Sequence, residues 1–90
     1  MTDVFKAISD PTRRAILDEL VERDGLTLYE VCGRLVMKHG IGSSRQAISQ
    51  HLDVLEEANL VRSAREGRIK RHWFVGDPLR EIASRWRLDK

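Results

Sequence analysis

The chain has one cysteine, Cys32, in 90 residues. That excludes an intramolecular disulfide and any metal centre built on paired thiolates. No apolar run approaches the ~20 residues that a bilayer-spanning helix needs. Met1-Thr2-Asp3 is not a basic stretch leading into an apolar one, so no secretory signal is read there. Excess charge of one sign is also lacking. The formal net charge is +2, so any affinity for nucleic acid must come from where the charges sit. Catalytic groupings are missing as well: the serines have no matching His and Asp, and no glycine-rich phosphate loop follows a strand. What remains is 41% hydrophobic and 33% charged, without repeats or low-complexity tracts. That is the composition of one small globular domain. Residues 1–90 are read as a single soluble, cytoplasmic domain, not an enzyme, with no cofactor and no membrane contact.

Start and stop signals divide the chain. Thr2 or Asp3 can cap a short first helix with Val4, Phe5 and Ile8 on one stripe. Asp10-Pro11 is a restart, because aspartate caps and proline tolerates the first helical position, where its missing N–H costs nothing. The helix that follows should turn Ile16, Leu17, Leu20 and Val21 inward, with Arg13, Arg14, Asp18 and Glu22 outward. Asp24-Gly25 ends it. Thr27-x-x-Glu30 is a capping box opening a third helix, with Leu28, Val31, Cys32, Leu35 and Val36 expected inside. Lys38-His39-Gly40-Ile41-Gly42 then breaks the pattern.

From Ser43 to Leu55 the residues describe a fourth helix with two different faces, ending near Asn59. Ser44 can cap it, since its hydroxyl can accept from an otherwise orphaned backbone N–H. At a 3.6-residue period, Ala47, Ile48, Leu52, Leu55 and Ala58 share one side. Gln46, Ser49, Gln50 and Asp53 share the other, with Arg45 at its edge. A solvated helix usually fills that side with Lys and Glu. Gln, Ser and Arg can instead donate to and accept from base edges in a major groove.

The period then changes. Leu60–Ala64 and Ile69–Val75 are strand-prone segments around Arg65-Glu66-Gly67-Arg68, which reads as a hairpin with glycine at the turn. Asp77-Pro78 repeats the cap-plus-proline signal and starts a last helix with Leu79, Ile82, Ala83 and Trp86 on one face. The expected fold is mainly α with a small β-hairpin, in the order α-α-α-α-β-β-α, a winged helix-turn-helix. From Arg62 to Arg71, five bases stand against one acid, Glu66, a local net charge of +4 that leaves −2 for the rest. A positive hairpin on a slightly acidic body suits a phosphate backbone. It equally suits a solvated edge that uses its charges to block aggregation.

Together these residues resemble the ArsR/SmtB-type winged-helix transcriptional repressors. The resemblance rests on Phe5-Lys6-Ala7-Ile8-Ser9-Asp10-Pro11-Thr12-Arg13-Arg14-Ala15-Ile16-Leu17, on Arg45 to Leu55, and on Leu60-Val61 followed by Arg65-Glu66-Gly67-Arg68. It implies a homodimer that binds a pseudo-palindromic site on double-stranded DNA and represses transcription. The implied dimer surface lies on the terminal helices, about residues 3–9 and 78–88, through Val4, Phe5, Ile8, Leu79, Ile82, Ala83 and Trp86. The DNA contacts expected from the polar face and the basic hairpin are Ser43, Ser44, Arg45, Gln46, Ser49 and Gln50 on the recognition helix and Arg65, Arg68 and Lys70 on the wing, and the resemblance adds His51.

Two departures stand out. Between Glu30 and Ser44 the chain is longer than the family spacing, which predicts an enlarged turn at 38–43. The family's metal sites use paired cysteines on the third helix or Asp/His sets on the last. Here only Cys32, with Tyr29 and Thr27, stands at the first, and Asp77 and Glu81 without histidine at the second. No metal is expected, and the residues name no effector.

Several side chains have two readings. His51 either donates to a phosphate or packs. Arg13 and Arg14 either contact phosphate or pair with Asp10 and Asp18. Cys32 is a small buried hydrophobe or a redox-sensing thiol. His39 and His72 read as solvated loop and strand positions. Of Trp73 and Phe74, one should join the core and the other cover the hairpin base or the last helix. The rival to DNA binding is a winged-helix module that docks a protein through the same helix. The absence of large hydrophobes at Gln46, Ser49 and Gln50 argues against it.

Overall fold

The computed structural model describes residues 3–86. The elements are α1 (Val4–Ala7), α2 (Pro11–Glu22), β1 (Leu26–Thr27), α3 (Leu28–His39), α4 (Arg45–Glu57), β2 (Val61–Glu66), β3 (Ile69–Phe74) and α5 (Asp77–Arg85). The sequence reading has one strand fewer. β1 pairs antiparallel with β3, Leu26 opposite His72 and Thr27 opposite Arg71, giving a sheet ordered β1-β3-β2. Two residues carry no period of their own, and their partners lie over forty positions away.

Local chemistry sets most boundaries. Asp3 caps α1, its Oδ1 accepting from the N–H of Phe5 at 2.7 Å. Asp10 caps α2 through the N–H of Arg13 at 3.0 Å, with Pro11 in the first turn. Thr27 and Glu30 form the reciprocal capping box of α3. Ser44 caps α4 through the N–H of Ala47 at 3.1 Å. At α5 the expected cap is not formed. Gly76 is the N-cap, Asp77 lies inside the first turn, and its carboxylate bonds to Arg80 instead. The expected ends also shift: α1 stops at Ala7 and α5 at Arg85, while positions 87 and 88 lie outside the described residues.

The core is a contiguous cluster from α2, α3, α4 and the base of the sheet. Its fully buried large side chains are Ile16, Leu20, Val31, Leu35, Ile48, Leu55 and Leu60. Two inward expectations are corrected. Val21 is 60% and Val36 53% exposed, and Leu28 and Cys32 are only half-buried. The inner face of α2 is turned toward Ala15 and Glu19 instead. Glu19 is buried because α3 brings it two cations and an imidazole. Arg34 Nε lies 3.1 Å from one carboxylate oxygen, Lys38 Nζ 3.5 Å from the same oxygen, and His39 Nε2 donates to the other at 2.9 Å. Lys38 also pairs with Glu22, whose carboxyl is held below its usual range first by that hydrogen bond. His39 is thus a helical, carboxylate-bound residue rather than a loop position.

This cluster explains most of the unusual spacing before the fourth helix. Lys38 and His39 belong to α3, extended by the pull of Glu19 and Glu22 from α2. Gly40 then ends the helix in the left-handed region at φ 64°, where its lack of a Cβ removes the steric cost. Ile41 folds back, its N–H bonding to the Leu35 carbonyl at 3.0 Å and its side chain packing on the core. The connection is thereby shortened to residues 40–44.

Removing the buried carboxylate leaves Arg34 and Lys38 with only the exposed Glu22 as a partner and takes away the hydrogen-bond acceptor of His39. Glu19→Ala is expected to lower the unfolding free energy by about 3 kcal/mol, toward the lower end for broken buried pairs because the cations keep some water. Urea denaturation of the two proteins measures it.

Candidate nucleic-acid interface

The apolar stripe of α4 seats the helix. Ile48, Leu52, Leu55 and Ala58 are buried, and Ala47 is half-buried. The seating leaves Arg45, Gln46, Gln50 and Asp53 exposed and Ser49 half-exposed. Ser43 and Ser44, just before the helix, are exposed too. The expected polar face is therefore presented to solvent as one surface.

Each flank of that face is tied down. On one side, the Arg13 guanidinium donates to Nδ1 of His51 at 3.1 Å, to the Ala7 carbonyl at 2.7 Å and to the Lys6 carbonyl at 3.2 Å. Arginine can only donate, so His51 accepts at Nδ1 and carries its proton on Nε2. Arg14 donates to the Ile8 carbonyl at 2.8 Å. Both arginines thus satisfy carbonyls at the C-terminal end of α1, where positive charge is favoured. Neither ion pair weighed for them, with Asp10 or with Asp18, is formed. On the other side, Glu56 reaches the hairpin: Ser63 Oγ donates to its Oε1 at 2.6 Å, and Lys70 Nζ lies 3.9 Å from its Oε2.

The hairpin turns at Gly67-Arg68, with Gly67 at φ 63° in the first central position. Arg65 and Glu66 belong to β2 rather than to the turn. Paired strand residues share a face, so Val61/Phe74, Ser63/His72 and Arg65/Lys70 share the face that meets α4. Arg62/Trp73 and Ala64/Arg71 take the other. There Arg62 stacks on the Trp73 ring at 4.9 Å. Arg71 lies near Glu66 and Glu30 and donates to the Gly25 carbonyl. Arg65 and Arg68 are exposed and form no ion pair among the described residues. His72 is corrected from solvated to buried: its Nδ1 donates to the Leu26 carbonyl at 2.9 Å, joining β1 to β3. Phe74 packs on the core, while Trp73 covers Gly25.

Cys32 is half-buried beside α4. Burial pushes its thiol up, and the nearby Arg45 charge offsets this only in part. A raised thiol suits packing better than redox sensing. Away from α4, the terminal helices leave apolar surface uncovered. Val4, Ile8 and Leu79 lean on the core and Ile82 is half-buried, but Ala83 is exposed, Phe5 is 54% exposed and Trp86 56%. A groove of about 500 Å³ runs between the two helices past Val4, Phe5 and Ile82.

A helix-turn-helix domain model matches residues 8–64. The HTH-type transcriptional regulator YuzN of Bacillus subtilis is 49% identical over 92% of this chain and 90% of its own length. An ArsR-like transcriptional regulator from Rhodococcus sp. RHA1 has a TM-score of 0.75 at 38% identity, covering 89% of this chain and 67% of that one. The chain belongs to the ArsR/SmtB-type winged helix-turn-helix regulators. In this family context the α3–α4 pair is the helix-turn-helix, β2–β3 the wing, and the protein a DNA-binding transcriptional regulator. The transcriptional repressor SdpR of Bacillus subtilis is 39% identical over 74% of the chain and 67% of its own length. In this ArsR-type chain no helix among the described residues is long and apolar enough to cross a membrane.

Asp10 links the cap of α2 to the His51 tie. Burial works to raise its carboxyl, but the Arg13 N–H bond and the Arg13 charge outweigh that and hold it below the usual aspartate range. Its stabilising contribution is therefore complete above that range and lost as pH falls through the lowered value. Asp10→Ala should cost about 1 kcal/mol at neutral pH. The gap between wild type and variant should close in acid, as followed by thermal melting across pH.

Proposed function

We propose that this ArsR-type regulator acts as a dimeric repressor on a pseudo-palindromic operator. The observation that carries the reading is the outward face of Gln46, Ser49 and Gln50 on a helix buried along its opposite side, beside a wing whose tip arginines, Arg65 and Arg68, form no ion pair among the described residues. In this reading α4 enters the major groove. Gln50 and Gln46 offer the paired donor and acceptor that suit adenine, Arg45 suits guanine or phosphate, and Ser49 suits either base. Ser43 and Ser44 bring the helix N-terminus to a backbone phosphate. Nε2–H of His51 is free to donate to a phosphate while Nδ1 stays on Arg13. The wing tip grips the neighbouring backbone.

The uncovered stripes on α1 and α5 support the dimer. Phe5, Ile82, Ala83 and Trp86 present apolar surface that a second copy would bury, and burying one large side chain contributes about 1.5–3 kcal/mol. A two-fold dimer then reads half-sites about one DNA turn apart. Repression is the activity named for SdpR, and it is carried to this chain as part of the proposal.

Selection of bound fragments from random duplex DNA, followed by salt titration on the winning site, tests the reading. A symmetric site with half-sites about 34 Å apart is expected. A flat salt dependence with no enriched sequence would refute DNA recognition. On that site, Gln50→Ala should lose about 1–3 kcal/mol relative to a scrambled duplex. Equal losses on both would remove Gln50 as a base reader. Arg68→Ala should weaken binding to every duplex and reduce the salt slope by about one. For the dimer, Ile82→Asp is expected to sediment as a folded monomer with lost operator affinity, since α5 has no fully buried residue on which its fold depends.

A further inference from the structure

We infer that Glu56 is a positioning residue: its carboxylate clasps both strands of the wing, sets the wing's angle to the recognition helix, and holds Lys70 as an anchor rather than a ligand of the DNA backbone. The inference rests on the DNA-binding reading above.

The two carboxylate oxygens serve two different strands. Oε1 accepts from Ser63 of β2 at 2.6 Å, and Oε2 lies 3.9 Å from Lys70 of β3. A hydroxyl donating to a carboxylate at that distance is a strong, charge-assisted bond. The pairing of β1 with β3 and the Arg71 bond to the Gly25 carbonyl hold the hairpin from one side, and the two ties to Glu56, one on each strand, hold it from the side of α4.

The position matters as much as the chemistry. Below the clasp the wing is held by packing, with Val61 and His72 buried. From Ala64 to Ile69 every residue is exposed. The aim of the tip is therefore set on the α4 side where Glu56 takes hold, and on the opposite face by the Arg71 bond to the Gly25 carbonyl. Arg65 stands directly opposite Lys70 in the hairpin register, so the clasp that orients one orients the other.

The charge pattern separates this role from a bystander's. Glu56 sits on the acidic second half of α4, beside exposed Asp53. If it acted only by repelling phosphate, removing it would tighten binding to all DNA alike. A clasp predicts opposite signs. Losing it releases Lys70 to meet phosphate on any sequence, while the tip loses the alignment that a specific site requires.

The experiment uses the full chain, the selected operator duplex and a scrambled duplex of equal length, each titrated with salt. Glu56→Ala is expected to lower operator affinity roughly 10-fold, the scale of coupling between contacting groups. Binding to scrambled DNA should hold or rise, with a salt slope steeper by up to about one as Lys70 is freed. Ser63→Ala should lower operator affinity as well, and combining it with Glu56→Ala should add little. Lys70→Ala should leave the salt slope unchanged, unlike Arg68→Ala. Glu56→Gln keeps an acceptor for Ser63 and should show the steeper slope with a smaller loss on the operator; it carries the test if the alanine variant melts early. Equal changes on both duplexes for the Glu56 variants would overturn the clasp. So would a Lys70→Ala slope as flat as that of Arg68→Ala. Should wild type bind neither duplex in a salt-dependent way, the DNA-binding reading itself fails and the clasp's function fails with it.

Discussion

Everything α4 can offer a partner depends on how firmly its inner stripe is seated. Ile48, Leu52, Leu55 and Ala58 disappear into the core formed by α2, α3 and the sheet base, and that burial decides which way Gln46 and Gln50 face. Apolar burial is strong but non-directional. It opposes lifting the helix out more than it opposes rolling or sliding it. The polar ties at its flanks supply the direction: Arg13 on His51 from one side, and Glu56 on the wing from the other.

Charge is handled differently in the two halves of the helix-turn-helix. Between α2 and α3 a buried carboxylate gathers Arg34, Lys38 and His39, a costly arrangement unless it is fully partnered. It extends α3 by the residues that would otherwise swell the turn. On the wing, by contrast, pairing is selective. Lys70 and Arg71 lie against carboxylates, Arg62 lies on a tryptophan, and Arg65 and Arg68 are left at the tip. The local excess of +4 visible in the sequence thus becomes a smaller, more focused charge in the fold.

The parts of this architecture that follow from short-range rules were legible in advance. Caps at Asp10, Thr27 and Ser44, the glycine turn of the wing, and the two faces of α4 all depend on neighbours within a few residues. The failures share a cause as well. Glu19 was not expected inside because its burial needs Arg34, Lys38 and His39 from another helix. His72 was not expected inside because its partner carbonyl belongs to β1, itself too short to announce. Asp77 lost its expected cap to Gly76, and Val21 and Val36 are exposed, since periodicity alone does not say which part of an apolar stripe another element covers.

The amino-acid order alone determined the winged helix-turn-helix plan and the polar identity of the face that α4 displays. Periodicity and capping are local, so they survive without knowledge of what packs where. Only the tertiary structure decided which charges are free and which are tied. It assigned Lys70 to Glu56, Arg13 to His51 and the carbonyls of α1, and Lys38 to the acids of α2. Apart from the Arg13 bonds to α1, these pairings join residues far apart in the chain. Their energies depend on distances of a few ångströms that only the packed core brings about.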